Sequence, residues 1–215
     1  MMDDTAAWKE FPEHQNWFNK LWLSQMLGYH CGPAGTAPEI DGTYVIRPVM
    51  NLSGMGVGAH VKEIKAGDLR SVPAGYFWCE YFDGDHYSVD LEWEWDRDKY
   101  SGKWQIVNCW KGTNYPINLT KFEKWERAEF PYPIHHLISN LSNVGKINIE
   151  CINGLPIEVH LRHSPDPDYD EMIPVWSSDL GIKKAHMEMH GYQFVNSYDD
   201  ADGQLDDPRI GFLVK

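Results

Sequence analysis

Residues 146–162 read KINIECINGLPIEVHLR, and this stretch decides the fold. Apolar and β-branched residues run on both sides of Asn153 and Gly154, a dipeptide typical of the two-residue turn between antiparallel strands. The pattern predicts a β-hairpin. Alternate residues of a strand share one face of the sheet, so Glu158, His160 and Arg162 should lie side by side.

The shared face of Glu158, His160 and Arg162 has two interpretations. The carboxylate and the imidazole could hold a divalent metal, and the guanidinium could bind phosphate or carboxylate. The alternative is a solvated strand face on which a glutamate balances an arginine. With a two-residue turn, Glu150 should pair with Ile157 and point away from Glu158, unless a bulge shifts the register.

Upstream, residues 43–64 predict a strand, a glycine loop and a returning strand. TYVIRPV and HVKEI have the composition of strands and flank the segment NLSGMGVGA. Glycine frees backbone N–H groups that can bind phosphate oxygens. Residues 44–70 contain four basic and two acidic side chains, a net charge of +2 in a chain of −13. A flexible hairpin tip is the alternative.

The rest of the chain predicts mainly antiparallel strands. Strand patterns occur at 74–82, 87–95, 103–110 and 209–214. Apolar spacing at 17, 18, 21, 22 and 26 predicts a helix that ends at Gly28, and Thr120 with Glu123 forms a capping box that predicts a helix over 121–130. A short helix should follow Pro133, residues 164–176 should form a proline-rich loop, and 182–194 could be helical.

Composition excludes several classes of protein. The net charge of −13 argues against nucleic acid or anionic lipid as a partner. No apolar run approaches the length of a membrane span, and the N-terminus lacks an export signal, so we expect a cytoplasmic protein. The four cysteines contain no C-x-x-C pair, which favours reduced thiols.

The order of the segments resembles the ATP-grasp superfamily. The segments that carry the resemblance are NKLWLSQMLGYHCGP (19–33), YVIRPVMNLSGMGVGA (44–59), FWCEYFDGDHYSVD (77–90) and INIECINGLPIEVHLR (147–162). In that family a basic residue on a strand precedes a glycine-rich lid, an acidic hinge segment follows, and a late Glu-x-Asn element carries metal. The segments of this chain match these features in the same order. The architecture is similar to small ATP-grasp-like proteins from bacteriophage genomes, which would place it in the host cytoplasm.

The resemblance implies an α+β fold of two small α+β subdomains with mainly antiparallel sheets. Residues 1–42 would form an N-terminal helix and loop, short relative to the family. Residues 43–78 would carry the lid, and 79–176 the metal and nucleotide sheet. Residues 177–215 would be an extension with an acidic loop.

The resemblance also implies the site residues. Nucleotide contacts fall on the lid, the hinge and the adjoining strands: Arg47, Ser53, Gly54, Met55, Gly56, Gly58, Glu80, Tyr81, Phe82 and His86. Metal ligation falls on Glu150, Glu158 and His160, and Arg162 would orient the transferred phosphoryl group. His160 stands where the family has an amide, which shifts the preference from Mg²⁺ toward softer divalent metals.

The implied function is binding of Mg-ATP, with ATP-dependent ligation of an unknown carboxylate and amine through an acyl phosphate. The alternative is a non-catalytic ATP-grasp fold that serves as a nucleotide-binding or protein-interaction module. A third interpretation is an acidic protein that binds a basic partner through the five aspartates between 199 and 207.

Overall fold

The computed structural model describes residues 2–50, 52, 56–98, 100–115, 118–197 and 206–215, without the side chains of residues 182, 184 and 186. Ser53, Gly54 and Met55 of the predicted lid lie outside these residues, as does most of the acidic loop at 199–207. The helices are α1 (Asp4–Glu10), α2 (Lys20–Met26) and α3 (Leu180–Glu188), with 3₁₀ helices at Pro12–Phe18, His136–Leu141 and Ser177–Asp179.

Twelve described strands form two sheets. The strands are β1 (Cys31–Pro33), β2 (Gly42–Pro48), β3 (His60–Ile64), β4 (Tyr76–Glu80), β5 (His86–Asp96), β6 (Ser101–Asn114), β7 (Phe122–Arg127), β8 (Lys146–Ile152), β9 (Leu155–His160), β10 (Glu171–Trp176), β11 (Gln193–Asn196) and β12 (Arg209–Val214). The small sheet has the order β1-β4-β2-β3, and the large sheet has the order β11-β12-β10-β7-β6-β5-β8-β9. All of these neighbours pair antiparallel.

The small sheet carries the glycine loop. β2 and β3 pair from Gly42 with Ile64 to Ile46 with His60, which confirms the predicted strand, loop and strand. Ile46, Ile64 and Trp78 are buried in its core.

The large sheet packs against the N-terminal helical segment. Val89 and Ile149, on neighbouring strands β5 and β8, are fully or almost fully buried and belong to one cluster with Trp17 and Leu23. Burial of such side chains contributes about 1.5–3 kcal/mol each. The packing holds residues 4–26 against the sheet, which brings two of their charged side chains to the cleft described below.

The predicted helix over 17–28 is wrong in its detail. Asn19 interrupts it, since its side chain accepts the Trp22 N–H as the N-cap of α2. The buried face of α2 is Lys20, Leu23 and Ser24, whereas Met26 is exposed. The helix does end near Gly28, whose φ is +75°.

Two other secondary-structure predictions are wrong. Residues 122–127 are strand β7, because Trp125 pairs with Gly112 on one side and Met172 on the other, and this pairing outweighs a weak capping signal. Part of the predicted loop is strand β10. Pro174 is tolerated there because the described pairing with β7 involves only Glu171 and Met172. The short helix after Pro133, α3 and β12 are confirmed.

The four cysteines are free thiols, and three of them are buried. Burial raises the pKa of Cys79 to about 12 and that of Cys109 to about 11. Cys31 lies on β1 directly opposite Cys79 and is partly exposed. Among the described residues, no helix is long and apolar enough to cross a membrane.

Candidate functional site

A cleft opens between the two sheets, where residues 80–85 (the hinge) join β4 to β5. It gathers residues that the sequence analysis singled out in four separate segments. These lining residues are Arg47, Gly56, Glu80, Tyr81, Phe82, His86, Glu150, Glu158, His160 and Arg162. Gly58 lies beside the cleft with φ +80°, where an added Cβ would come within 2.6 Å of the Tyr76 hydroxyl oxygen.

A β-bulge aligns the two glutamates of the hairpin. Cys151 pairs with Pro156, as expected for a two-residue turn, but the register then shifts and Glu150 pairs with Glu158. The predicted pairing of Glu150 with Ile157 is therefore wrong. The bulge adds one residue to β9, so that both carboxylates line the cleft.

The hinge end of the cleft consists of residues 80–85 with Tyr29 and the turn at 153–154. The Asn153 side chain accepts the Asp85 N–H at 3.0 Å and donates to the Asp83 carbonyl at 2.9 Å. Gly84 allows this approach, since an added Cβ would lie 1.9 Å from the Asn153 amide nitrogen. The rings of Tyr29 and Phe82 are 4.8 Å apart. The hinge is thus fixed to the hairpin turn.

The charged end of the cleft is lined by Arg47, Glu150, Glu158, His160 and Arg162, and the buried Lys20 and Asp4 contact these side chains. At its centre, Glu158 Oε1 is 2.7 Å from Lys20 Nζ, and its Oε2 is 3.3 Å from Arg47 Nη2. Burial alone would raise the pKa of Glu158, but the charges of Lys20, His160 and Arg47 outweigh it and lower the pKa to about 2. Glu158 is therefore ionised at neutral pH.

Asp4 binds two of the predicted site residues. Its Oδ2 is 2.9 Å from His160 Nδ1, and its Oδ1 is 2.8 Å from Arg162 Nε in an ion pair that lacks hydrogen-bond alignment. Burial would lower the pKa of His160, but contact with Asp4 raises it overall. The pKa of Asp4 is lowered, since His160 and Arg162 outweigh the effect of burial. The three side chains form one buried charged group.

His86 links Glu150 to an aromatic wall. Its Nε2 is 3.2 Å from Glu150 Oε2, and its ring contacts Phe122 and Trp125 edge-on at 5.0 and 5.6 Å. Burial would raise the pKa of Glu150, but the hydrogen bond and charge of His86 lower it overall. This part of the cleft combines one carboxylate with apolar surface.

These contacts bear on the predicted metal site. Both carboxylate oxygens of Glu158 already contact cationic side chains, and the His160 ring faces Asp4 and, at 3.8 Å, Glu158. Over the described ranges, no three His, Cys, Asp or Glu side chains are placed to hold a metal ion. Mg²⁺ prefers several oxygen ligands and bound water. The side chains as arranged do not fit Mg²⁺, because the Lys20 ammonium already contacts the Glu158 carboxylate.

The sequence analysis missed Asp4 and Lys20. Asp4 follows Asp3 in an acidic N-terminus with no local pattern that indicates a site. Lys20 lies outside the apolar stripe at 17, 18, 21, 22 and 26, whereas the buried face of α2 is Lys20, Leu23 and Ser24. A lysine on the buried face of a helix is unusual unless it is paired, and this was the sequence signal that could have indicated Lys20.

Comparisons with known proteins identify the fold. No family model and no curated protein matches the chain. Among solved structures it is similar to carboxyaminoimidazole ribonucleotide synthase from Aspergillus clavatus complexed with ATP, with 9% identity, a TM-score of 0.51, and coverage of 100% of this chain and 75% of that one.

Two further solved structures are similar at lower scores. An L-amino acid ligase from Bacillus licheniformis has 13% identity and a TM-score of 0.44 over 69% of this chain and 41% of that one. A putative ATP-grasp superfamily protein from Archaeoglobus fulgidus has 12% identity and a TM-score of 0.40 over 94% of this chain and 65% of that one. The chain thus spans less than two thirds of the length of these two. The likeness to the ribonucleotide synthase is one of fold, and the predicted ATP-grasp-like α+β class is confirmed.

Proposed function

Starting from this ATP-grasp fold, we propose that the protein binds ATP in the cleft between its two sheets. The observation that carries the proposal is the convergence of Arg47, the hinge, His86 and the hairpin on one cleft. These residues come from four separate segments of the sequence, and only the folded chain brings them together in one cleft. Ligand sites are typically clefts lined by apolar surface with a few convergent polar groups, and this cleft has both.

The two ends of the cleft suit the two ends of the nucleotide. The hinge end offers the rings of Tyr29 and Phe82 and a backbone segment that can hydrogen-bond the edge of a base. The charged end offers Arg47 and Arg162, whose guanidinium groups suit phosphate oxygens. His86 lies between the ends, in the position implied for ribose. The glycine loop would close over the phosphates.

We further propose an ATP-dependent ligase activity of the carboxylate–amine class. A substrate carboxylate oxygen would attack the γ-phosphorus as the bond to ADP breaks, and an amine would then attack the acyl carbon and release phosphate. Arg47 and Arg162 would stabilise the negative charge on the transferred group. The cleft, closed by the loop, would keep water from the acyl phosphate.

A specific observation favours a second candidate, a nucleotide-binding module without catalysis. Glu158 and His160, the counterparts of the family's Glu-x-Asn, are bound to Lys20 and Asp4. A regulatory or protein-interaction role needs only binding and a change of shape.

A protein partner that binds through the Asp-rich loop stays a prediction. Asp207, in the described part of that loop, contacts Lys121 and Ser178 of this chain.

The test of ATP binding is calorimetric titration with a non-hydrolysable ATP analogue. We expect saturable binding that weakens at least about tenfold in Arg47→Ala, since one phosphate contact is lost. Arg70→Ala is the matched control, because Arg70 is exposed on the same subdomain and its removal changes the net charge equally. Absence of binding at millimolar analogue, or equal affinity in all three proteins, would contradict the proposal.

Ligation is tested by release of ADP and phosphate with panels of carboxylates and amines. Arg162→Ala should abolish turnover while it retains much of the nucleotide affinity. Normal turnover in that variant would remove Arg162 from the mechanism. Binding of ATP without turnover on any panel would favour the non-catalytic module.

A further inference from the structure

Resting on the proposed ATP site, we infer that Lys20 takes the place of a metal ion, so that the cleft binds ATP without a divalent cation. The structure places the Lys20 ammonium 2.7 Å from Glu158, the carboxylate that resemblance assigns to metal ligation. The charge that a metal would bring is thereby supplied by a side chain of the chain itself.

Lys20 is built into the fold. Its side chain is only 4% exposed, and its backbone N–H donates to the Val49 carbonyl at 2.8 Å, just beyond β2. One helical turn further on, the Ser24 hydroxyl donates to the Lys20 carbonyl at 2.8 Å. The first turn of α2 is thus joined to the strand that carries Arg47. The ammonium is held against Glu158, which lines the cleft, by the placement of the helix as well as by its ion pair.

Replacing this ion pair with a metal would be costly. A divalent cation on Glu158 would have to displace Lys20 or share the carboxylate with it. In the first case a buried ammonium loses its partner, and in the second a divalent and a univalent cation lie a few ångströms apart at low dielectric. Arg47, 3.3 Å from the other oxygen, adds to the repulsion.

Cationic side chains already stand at the charged end. Lys20 and Arg47 both contact Glu158, and Arg162 Nε lies 2.8 Å from Asp4 Oδ1. Phosphates at this end would therefore meet fixed positive charge without a metal ion.

The test is calorimetric titration of the wild-type protein with ATP in EDTA and in excess Mg²⁺. We expect saturable binding in EDTA, with an affinity within about threefold of that in Mg²⁺. Binding that occurs only with Mg²⁺ would overturn this inference and leave the proposed ATP site intact. Absence of binding under both conditions would overturn the proposed function as well. This comparison needs no variant, so it stands whatever the stability of the variants.

A variant identifies the residue responsible. Lys20→Met keeps the length of the side chain and removes its charge, so its affinity for ATP in EDTA should fall at least about tenfold. Lys9→Met is the matched control, since Lys9 is exposed on α1 and its loss changes the net charge equally. Unchanged affinity of folded Lys20→Met in EDTA would overturn the role of Lys20. Circular dichroism of each variant checks folding.

Discussion

The two ends of the cleft are assembled in different ways. At the hinge end, hydrogen bonds between the Asn153 side chain and the backbone of the hinge hold two chain turns together, and the rings of Tyr29 and Phe82 are in contact. At the charged end, buried ion pairs join Asp4 and Lys20, from the N-terminal helices, to residues of β9 and to Arg162, and another joins Arg47 of β2 to Glu158. The proposed nucleotide site uses both ends, but different kinds of interaction maintain them.

This difference has an energetic consequence. A hydrogen bond at an exposed turn contributes about 1 kcal/mol, whereas removal of one partner from a buried ion pair costs about 3–5 kcal/mol. The charged end should therefore be far more sensitive to single substitutions than the hinge end. It should also depend on pH, because its contacts require ionised groups.

The largest effect is expected from Asp4→Asn. The change removes the charge that faces His160 and Arg162 at a side chain only 3% exposed, and the free energy of unfolding should fall by about 3–5 kcal/mol. Urea denaturation at neutral pH measures it. Asp3→Asn is the matched control, because asparagine caps a helix as well as aspartate does, and it should change stability by less than about 0.5 kcal/mol. Equal losses in the two variants would contradict the ion-pair account.

A smaller, pH-dependent effect is expected from Glu158→Gln. Because the folded-state pKa of Glu158 is about 2, below the ordinary 4.5, its ionised form stabilises the protein above pH 4.5. That contribution should amount to about 2–3 kcal/mol and disappear as the pH falls through about 2. Unfolding measured from pH 7 to pH 2 should show the wild type and the variant converging. Glu129→Gln, at an exposed site, is the control. A constant difference across the range would argue against an ionised Glu158.

The smallest effect is expected from Asn153→Ala at the hinge end. Three hydrogen bonds at an exposed turn are lost, one of them a long contact from the Tyr132 hydroxyl, and alanine is less favourable than asparagine at φ +49°. The free energy of unfolding should fall by about 2 kcal/mol, with little dependence on pH. Asn140→Ala, on the exposed face of a 3₁₀ helix, should be near neutral. A loss as large as that of Asp4→Asn would remove the distinction between the two ends.

The sequence predicted the hinge end better than the charged end. The strands, the turn at Asn153 and the glycine loop are local patterns of a few residues, and the resemblance that these segments carry implied the fold class and ten of the residues that line the cleft. A cytoplasmic location and a bacteriophage origin stay predictions.

The charged end depends on features that periodicity does not carry. Asp4 and His160 are separated by 156 positions, and their contact arises only when α1 packs against the large sheet. The bulge in β9 changes the register within one hairpin, so the pairing of Glu150 with Glu158 could not be read from the turn. The helix at 121–130 was predicted from a local signal that strand pairing overrode.

The uneven burial of the thiols gives the protein a natural attachment point for a fluorescent probe. Thiol reagents need both access and thiolate; burial denies access to Cys79, Cys109 and Cys151 and raises the pKa of each. Burial also raises the pKa of Cys31, but this thiol is partly exposed on the edge strand of the small sheet and should therefore react first. A dye there would report, without any engineered cysteine, on the surroundings of the sheet that carries the glycine loop.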